Sequence, residues 1–284
     1  MALRINYNLA ASVAQRSLGA SQDNYARQAE RLATGLRINK AGDDAAGMAV
    51  SERLKNQVRG LNQAQRNAQD GISMIQTAEG AMAEAHTILA RMRELAIQAS
   101  NDTVTANDRA NLQVEFSALY SEIDRIASST QFNGIAVLNG ASGNNLKLQI
   151  GANKDSGGDN AVTLNISSTS GFQPTMLDAN FANAGASITA QSAASGTITV
   201  LDSAVNAVSS ARASLGALQA RLESASRSIA VASENAAAAN SRIADADIAG
   251  SMSELVRAQI LQQAGISVLA QANQAPSLVL QLLK

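Results

Sequence analysis

Apolar residues recur with helical periods at both ends of this chain and with the period of strands in its middle. In the C-terminal half, Leu201, Val208, Leu215, Leu222, Ile229 and Ala236 stand seven residues apart. Ala204, Ala211, Leu218, Ala225 and Ala232 follow the first five by three residues. Such a heptad predicts a long helix in a left-handed coiled-coil or bundle seam. The N-terminal half carries a matching stripe: Leu54, Val58, Leu61, Ala64, Ala68, Ile72, Ile75, Ala78, Met82, Ala85, Leu89, Met92, Ala96 and Ala99, in steps of three or four. Asp43 and Asp44 precede it, where a helix N-terminus favours negative charge. Gly60, Gly71 and Gly80 inside the stripe read as places of close approach or as a break.

A third helix is predicted from Thr105, which stands at capping-box distance from Asp108. Leu112, Phe116, Leu119, Ile123 and Ile126 then step 4-3-4-3, and the short connector before them turns this helix back on the previous one. The pattern changes near residue 128. Asn133-Gly134 and Asn139-Gly140 are turn signals. Leu146, Leu148 and Ile150 alternate, as do Val162, Leu164 and Ile166, which predicts a β-hairpin region over about 130–170. Residues 167–196, rich in Ser, Ala, Thr and Asn, read as a short surface loop.

The termini carry helical stripes of their own. Leu18, Tyr25 and Leu32 are seven apart, with Ala29 and Leu36 filling the seam. Met252, Val256, Ile260, Ile266 and Leu269 form a stripe at the other end, and Leu280 and Leu283 belong to a tail that is apolar on every face. The fold expected is mainly α: a long coiled-coil bundle hairpin with a small β-hairpin region at its distal tip and both termini together. Residues 1–41 and 241–284 would form a terminal coiled-coil domain, and 42–240 a helical domain. The expected seam of that domain is Leu54, Val58, Ile72, Ile75, Leu201, Val208, Leu215, Leu222 and Ile229.

Composition supports packed helices and removes most chemistry. Aromatics are 2% of the 284 residues while hydrophobic residues reach 46%, so branched aliphatics and Ala must fill the core. A net charge of −1 gives no basic excess for nucleic acid. No apolar run is long enough to span a membrane. Polar residues in MALRINYNLAASVAQRS stand where a secretory signal would be apolar. Cysteine is absent, and one histidine, His86, falls among Met82, Leu89 and Met92 at helical spacing, where a packing or surface role is the simpler one. Asp155 and Asp159 lack the spacing of an EF-hand, so a hairpin turn accounts for them. Asn101 and Asn165 open glycosylation-like triplets, a pattern common by chance. No nucleotide loop or zinc-protease motif is present. The expectation is a structural protein with no catalytic site, metal or cofactor.

Long segments resemble bacterial flagellin. RLATGLRINKAGDDAAGMAVSERLKNQVRGLNQAQRNAQDGISMIQTAEGAM, RMRELAIQASND and EIDRIASSTQFNG are similar to that family's N-terminal signature. LGALQARL and RIADADIAGSMSELVRAQILQQAGISVLAQANQ are similar to its C-terminal one. The resemblance implies a subunit that self-polymerises into the flagellar filament and serves motility. The self-assembly core would be the terminal coiled coil, through Leu18, Tyr25, Leu32, Leu36, Val256, Ile260, Leu269, Leu280 and Leu283. It also implies type III export to an extracellular filament, a secretion chaperone on the C-terminal helix, and filament-cap and hook-junction partners. Residues matching RxRELAxQ and its neighbouring helix, Arg91, Leu95 and Glu115, would form a surface recognised by a host Toll-like receptor. Only about sixty residues separate the two signatures, too few for an outer variable domain. Arg4, Tyr7 and Ala-Pro-Ser at 275–277 are less usual for the family. The alternative is a hook-filament junction protein, which has flagellin-like ends but a longer middle.

Overall fold

A computed structural model describes residues 8–138, 146–154, 160–164 and 187–282, with the backbone alone at Leu164 and 275–282. The described chain is mainly α: α1 (Leu9–Thr34), α2 (Ala45–Ala99), α3 (Ala106–Ser129), β1 (Gln131–Phe132), β2 (Ile135–Ala136), β3 (Leu146–Gln149), β4 (Ala161–Leu164), α4 (Gln191–Ala244) and α5 (Ile248–Leu282). It forms two compact units, one of Met1–Gln57 with Glu234–Lys284, the other of Val58–Ser233.

The Val58–Ser233 unit is a helical bundle whose core follows the periodic stripes. Ile75, Met82, Leu89 and Met92 of α2 are buried together with Phe116 and Ile123 of α3. Leu201, Val208, Leu215 and Leu222 of α4 join the same cluster. Ile72 is half-buried against it, as are Leu112, Leu119 and Ile126. A smaller cluster of Leu61, Ala64 and Ile229 continues the packing, with Val58 half-buried beside it in sequence. The heptad of α4 weakens near its end: Ala225 is half-buried and Ala232 exposed.

Local chemistry sets where these helices begin and end. The Thr105 hydroxyl accepts from Asp108 N–H at 3.2 Å, and the Asp108 carboxylate accepts from Thr105 N–H at 3.2 Å, a reciprocal capping box. The Arg109 guanidinium donates to the carbonyls of Ala99 at 2.8 Å and Asn101 at 3.0 Å, satisfying acceptors that the end of α2 leaves open. Asn133 and Gly134, with φ of 51° and 78°, form the two-residue turn between β1 and β2. Strands β3 and β4 pair antiparallel with Leu148 opposite Val162. Asn139-Gly140, the hairpin tip 155–159 and Ile166 lie outside the described residues.

Helix α2 runs unbroken through its glycines. A Cβ on Gly71 would collide with Leu148 of β3, and one on Gly60 would meet Ala152 at 3.0 Å, so both admit the hairpin region rather than a helix alone. Gly80 faces open space and has no such role. One expectation needs correction. The loop assigned to 167–196 overlaps α4, whose first six residues are Gln191–Gly196. Ala194 is buried seven residues before Leu201, and Thr197 donates back to Ala193 O at 2.9 Å, so small and polar residues hid a first turn of the same heptad. Residues 167–186 lie outside the description.

In the other unit α1 and α5 pair antiparallel. The Asn8 side chain donates to Ala272 O at 2.8 Å at one end, and Leu36 and Asp245 form a β-bridge at the other. Gly35, in the left-handed region at φ 71°, ends α1, and its N–H returns to Arg31 O at 2.8 Å. Leu36, expected on the helical seam, therefore lies beyond the helix, in the bridge. Arg37 reinforces that bridge: its N–H donates to Ala244 O and its guanidinium to Ile243 O, both at 2.7 Å. Asp43 accepts from the N–H groups of Lys40 and Asn39, which hold its carboxyl below its usual pKa. Asp44 accepts from Gly47 N–H at 2.8 Å, the role its place before α2 suggested. Ser51, buried, donates to Asn240 at 2.7 Å, and Leu54 nearby is half-buried.

Candidate self-assembly surface

The seam of the α1–α5 pair alternates leucines with small residues. Leu18 packs over Gly265, where an added Cβ would stand 3.4 Å from Leu18 Cδ1. Ala258 is the one buried side chain described on α5, at 5% exposure. Leu255, Gln262, Gly265, Leu269 and Ala272 continue its row in steps of three or four, all half-buried. On α1 no side chain is buried. Leu18 and Leu32 are half-buried and Tyr25 is exposed. Ser21, Asn24 and Gln28 of α1 face Glu254, Arg257 and Leu261 of α5 across a shallow groove.

Other large aliphatics of α5 are exposed. Val256 is 47% exposed and Ile260 59%, and Ile248, Met252, Leu261, Ile266 and Val268 are exposed with them. Leu9 and Val13 of α1 are exposed too. The expected stripe of Val256, Ile260 and Leu269 is thus divided, with Leu269 on the inner row and the other two outward. Leu255, Ala258, Gln262, Gly265, Leu269 and Ala272 carry the inner period, whose small and polar members a search for large apolar residues overlooks. Leu9, Val13, Leu261 and Val268 were missed by the stripe; the available signal was that they are apolar yet off it. The side chain of Leu280 and all of Leu283 lie outside the described residues.

The second candidate surface lies on α2 and α3. Arg91 pairs with Glu115 at 2.9 Å and with Glu94 at 3.0 Å, all three exposed. The hydrogen bonds that Arg91 donates to Glu115 and Glu94 raise its pKa further above the usual value. Leu95 corrects the expectation. It is 1% exposed within the bundle core and cannot present its side chain at this surface. The exposed apolar neighbours in sequence are Ile97 and Val114. Among the described residues there is no cluster of three or more His, Asp or Glu suited to a metal, and no helix long and apolar enough to cross a membrane.

An uncovered aliphatic face on a pair of terminal helices is what a polymerising subunit presents, and sequence comparison gives the same answer. Residues 5–143 match the family described as bacterial flagellin N-terminal helical region, and 198–283 match the bacterial flagellin C-terminal helical region. A flagellin of Halalkalibacterium halodurans is 46% identical over 280 residues, covering 99% of each chain. The flagellin of Bacillus subtilis is 44% identical, covering 99% of this chain and all of its own. A flagellar filament 30.7 kDa core protein of Treponema maltophilum is 45% identical over 98% of this chain and 99% of its own. The crystal structure of Bacillus cereus flagellin is similar at 31% identity and a TM-score of 0.48, over 58% of this chain and 88% of that one. These relatives do not favour the hook-junction alternative. The chain belongs to the bacterial flagellin family, in its short form, and is a structural subunit of the flagellar filament.

Proposed function

We propose that copies of this chain join through the outward aliphatic faces of α1 and α5, with Leu18, Leu32, Leu255 and Leu269 holding the pair together beneath. One observation carries this reading: α1 has no buried side chain while Val256 and Ile260 of its partner remain about half exposed. A helix apolar on more than one side is stable only when something covers each side. Neighbouring subunits are the cover that a filament supplies. The terminal domain of 1–41 with 241–284 is then the filament core, and Leu280 and Leu283 extend it. In the helical domain of 42–240 the seam residues of α2 and α4 supply rigidity and take no part in catalysis.

Before assembly the exposed face of α5 needs protection. A secretion chaperone bound to the C-terminal helix fits that need, as does type III export to an extracellular filament whose cap and hook-junction proteins contact the same ends. A host Toll-like receptor would meet the ion-paired ridge of Arg91, Glu94 and Glu115. Negative-stain microscopy of purified protein after salt addition tests the reading. Filaments are expected from the native chain and none from Val256→Asp, with circular dichroism unchanged. Filaments of normal length from Val256→Asp would place the interface elsewhere.

A further inference from the structure

We infer that Met252 is an oxidation-sensitive site that blocks the subunit from polymerising when its thioether becomes a sulfoxide. The inference rests on the assembly face proposed above. Buried methionines in this chain are well shielded: Met82 and Met92 are 0% exposed and Met74 6%, all inside the bundle core, and Met48 is half-buried. Met252 is 48% exposed, the sole exposed methionine among the described residues. It stands one helical turn from Ile248 and one from Val256, both exposed on the outward side of α5. Among the described methionines, the one most open to an oxidant is therefore the one set in the proposed interface.

The chemistry needs only a peroxide. A sulfur lone pair of Met252 attacks one oxygen of hydrogen peroxide, forming the S–O bond as the O–O bond breaks. The departing hydroxide takes the remaining proton and leaves as water, so sulfur is oxidised by two electrons and the peroxide reduced by two. The product is a polar, chiral sulfoxide in place of a flexible apolar side chain. In the filament the same sulfur is covered, so oxidation would act on free subunits and spare assembled ones. Methionine sulfoxide reductases reverse the change, which makes the block recoverable.

The test uses the full chain. Free subunits and preformed filaments are treated with hydrogen peroxide, followed by peptide mass spectrometry and a sedimentation assay of salt-induced polymerisation. In free subunits the sulfoxide should form at Met252 about ten times faster or more than at Met82 and Met92, because exposure controls access. The oxidised subunit should need about a ten-fold higher concentration to polymerise, since a contact meant to be apolar is left polar. Met252→Leu, a volume-conserving change, should polymerise normally before and after peroxide. Met252→Gln should reproduce the block without peroxide, and filaments should keep the thioether. Equal loss of assembly in peroxide-treated Met252→Leu would overturn the inference, as would normal assembly of Met252→Gln. If Met252→Gln assembles and Val256→Asp does not, the redox site falls and the assembly face stands; if both assemble, both fall.

Discussion

Ile260→Ala is the cleanest probe of the outward face, because it removes apolar area without adding charge or breaking the helix. The substitution deletes three carbons, and burial is worth about 0.8 kcal/mol for each. In the free subunit Ile260 is 59% exposed, so only that share of its area remains to be covered on assembly. Three carbons at 0.8, scaled by 0.59, give about 1.4 kcal/mol lost at the interface. That corresponds to roughly a ten-fold rise in critical concentration. Free-subunit melting should move little, since the deleted carbons are mostly hydrated there already. Leu222→Ala provides the opposite control. Leu222 is wholly buried in the bundle, and its truncation should cost about 2–5 kcal/mol of subunit stability. The assays are sedimentation after salt-induced polymerisation and thermal melting by circular dichroism. An unchanged critical concentration for Ile260→Ala, together with a lowered melting temperature, would mean that Ile260 packs inward and the proposed face is wrong.

Val208→Asp and Leu215→Asp each place an unpaired charge in the α2–α4 seam, so each should cost several kcal/mol and lower the melting temperature sharply. Arg91→Ala and Glu115→Ala remove an exposed ion pair, so melting should hold while activation of a cell-based Toll-like receptor reporter by free subunits falls. Activation equal to that of the native chain would remove the receptor from the list of partners. Asp108 titrates below its usual 3.8, chiefly because the Thr105 hydroxyl and backbone N–H donate to its carboxylate. A depressed folded value means its stabilisation is complete above the unfolded value and is lost as pH falls through the folded one. Hydrogen-exchange protection at the first turn of α3, taken relative to the intrinsic rate at each pH, should therefore fall below about pH 4, and Asp108→Asn should flatten that dependence.

Much of this was legible because large side chains at helical spacing have one physical use. The heptad from Leu201 to Leu222 could only be a core, and it is buried. Thr105 with Asp108, and Asn133 with Gly134, were readable because each pair satisfies a specific backbone need, and the caps and φ angles agree. Small residues defeated the same logic. Residues 191–196 read as loop because Gln, Ser, Ala and Gly carry little periodic signal, yet Ala194 begins the buried row of α4. Leu36 was assigned to a helix that Gly35 terminates. The surface role of Leu95 rests on resemblance alone, and the stripe of Leu89, Met92, Ala96 and Ala99 does not include it, although its spacing of three from Met92 and four from Ala99 sets it beside that stripe, where it is buried.

The pairing of α1 with α5 sorts its side chains only partly by size. Leu255 and Leu269 face the partner helix together with Ala258, Gly265 and Ala272, while Val256, Ile260 and Ile266 remain exposed. In a free-standing coiled coil the large residues would occupy the seam, since their burial supplies most of the stability. Small seam residues let two backbones approach closely but remove little apolar area from water. Small residues between the leucines thus leave apolar burial to be gained outside the pair. A seam that also held the remaining large residues would have less to gain from neighbours. On the proposed assembly face, Val256, Ile260 and Ile266 would supply that gain at the moment of assembly. Enlarging the seam should accordingly separate the two effects. Ala258→Leu would force the helices apart or bury a large residue between them, and either outcome alters the spacing of the outward face. The expected result is a subunit whose helical content is unchanged or higher but whose polymerisation is impaired. Improved polymerisation of Ala258→Leu would show that the seam, rather than the outward face, limits assembly.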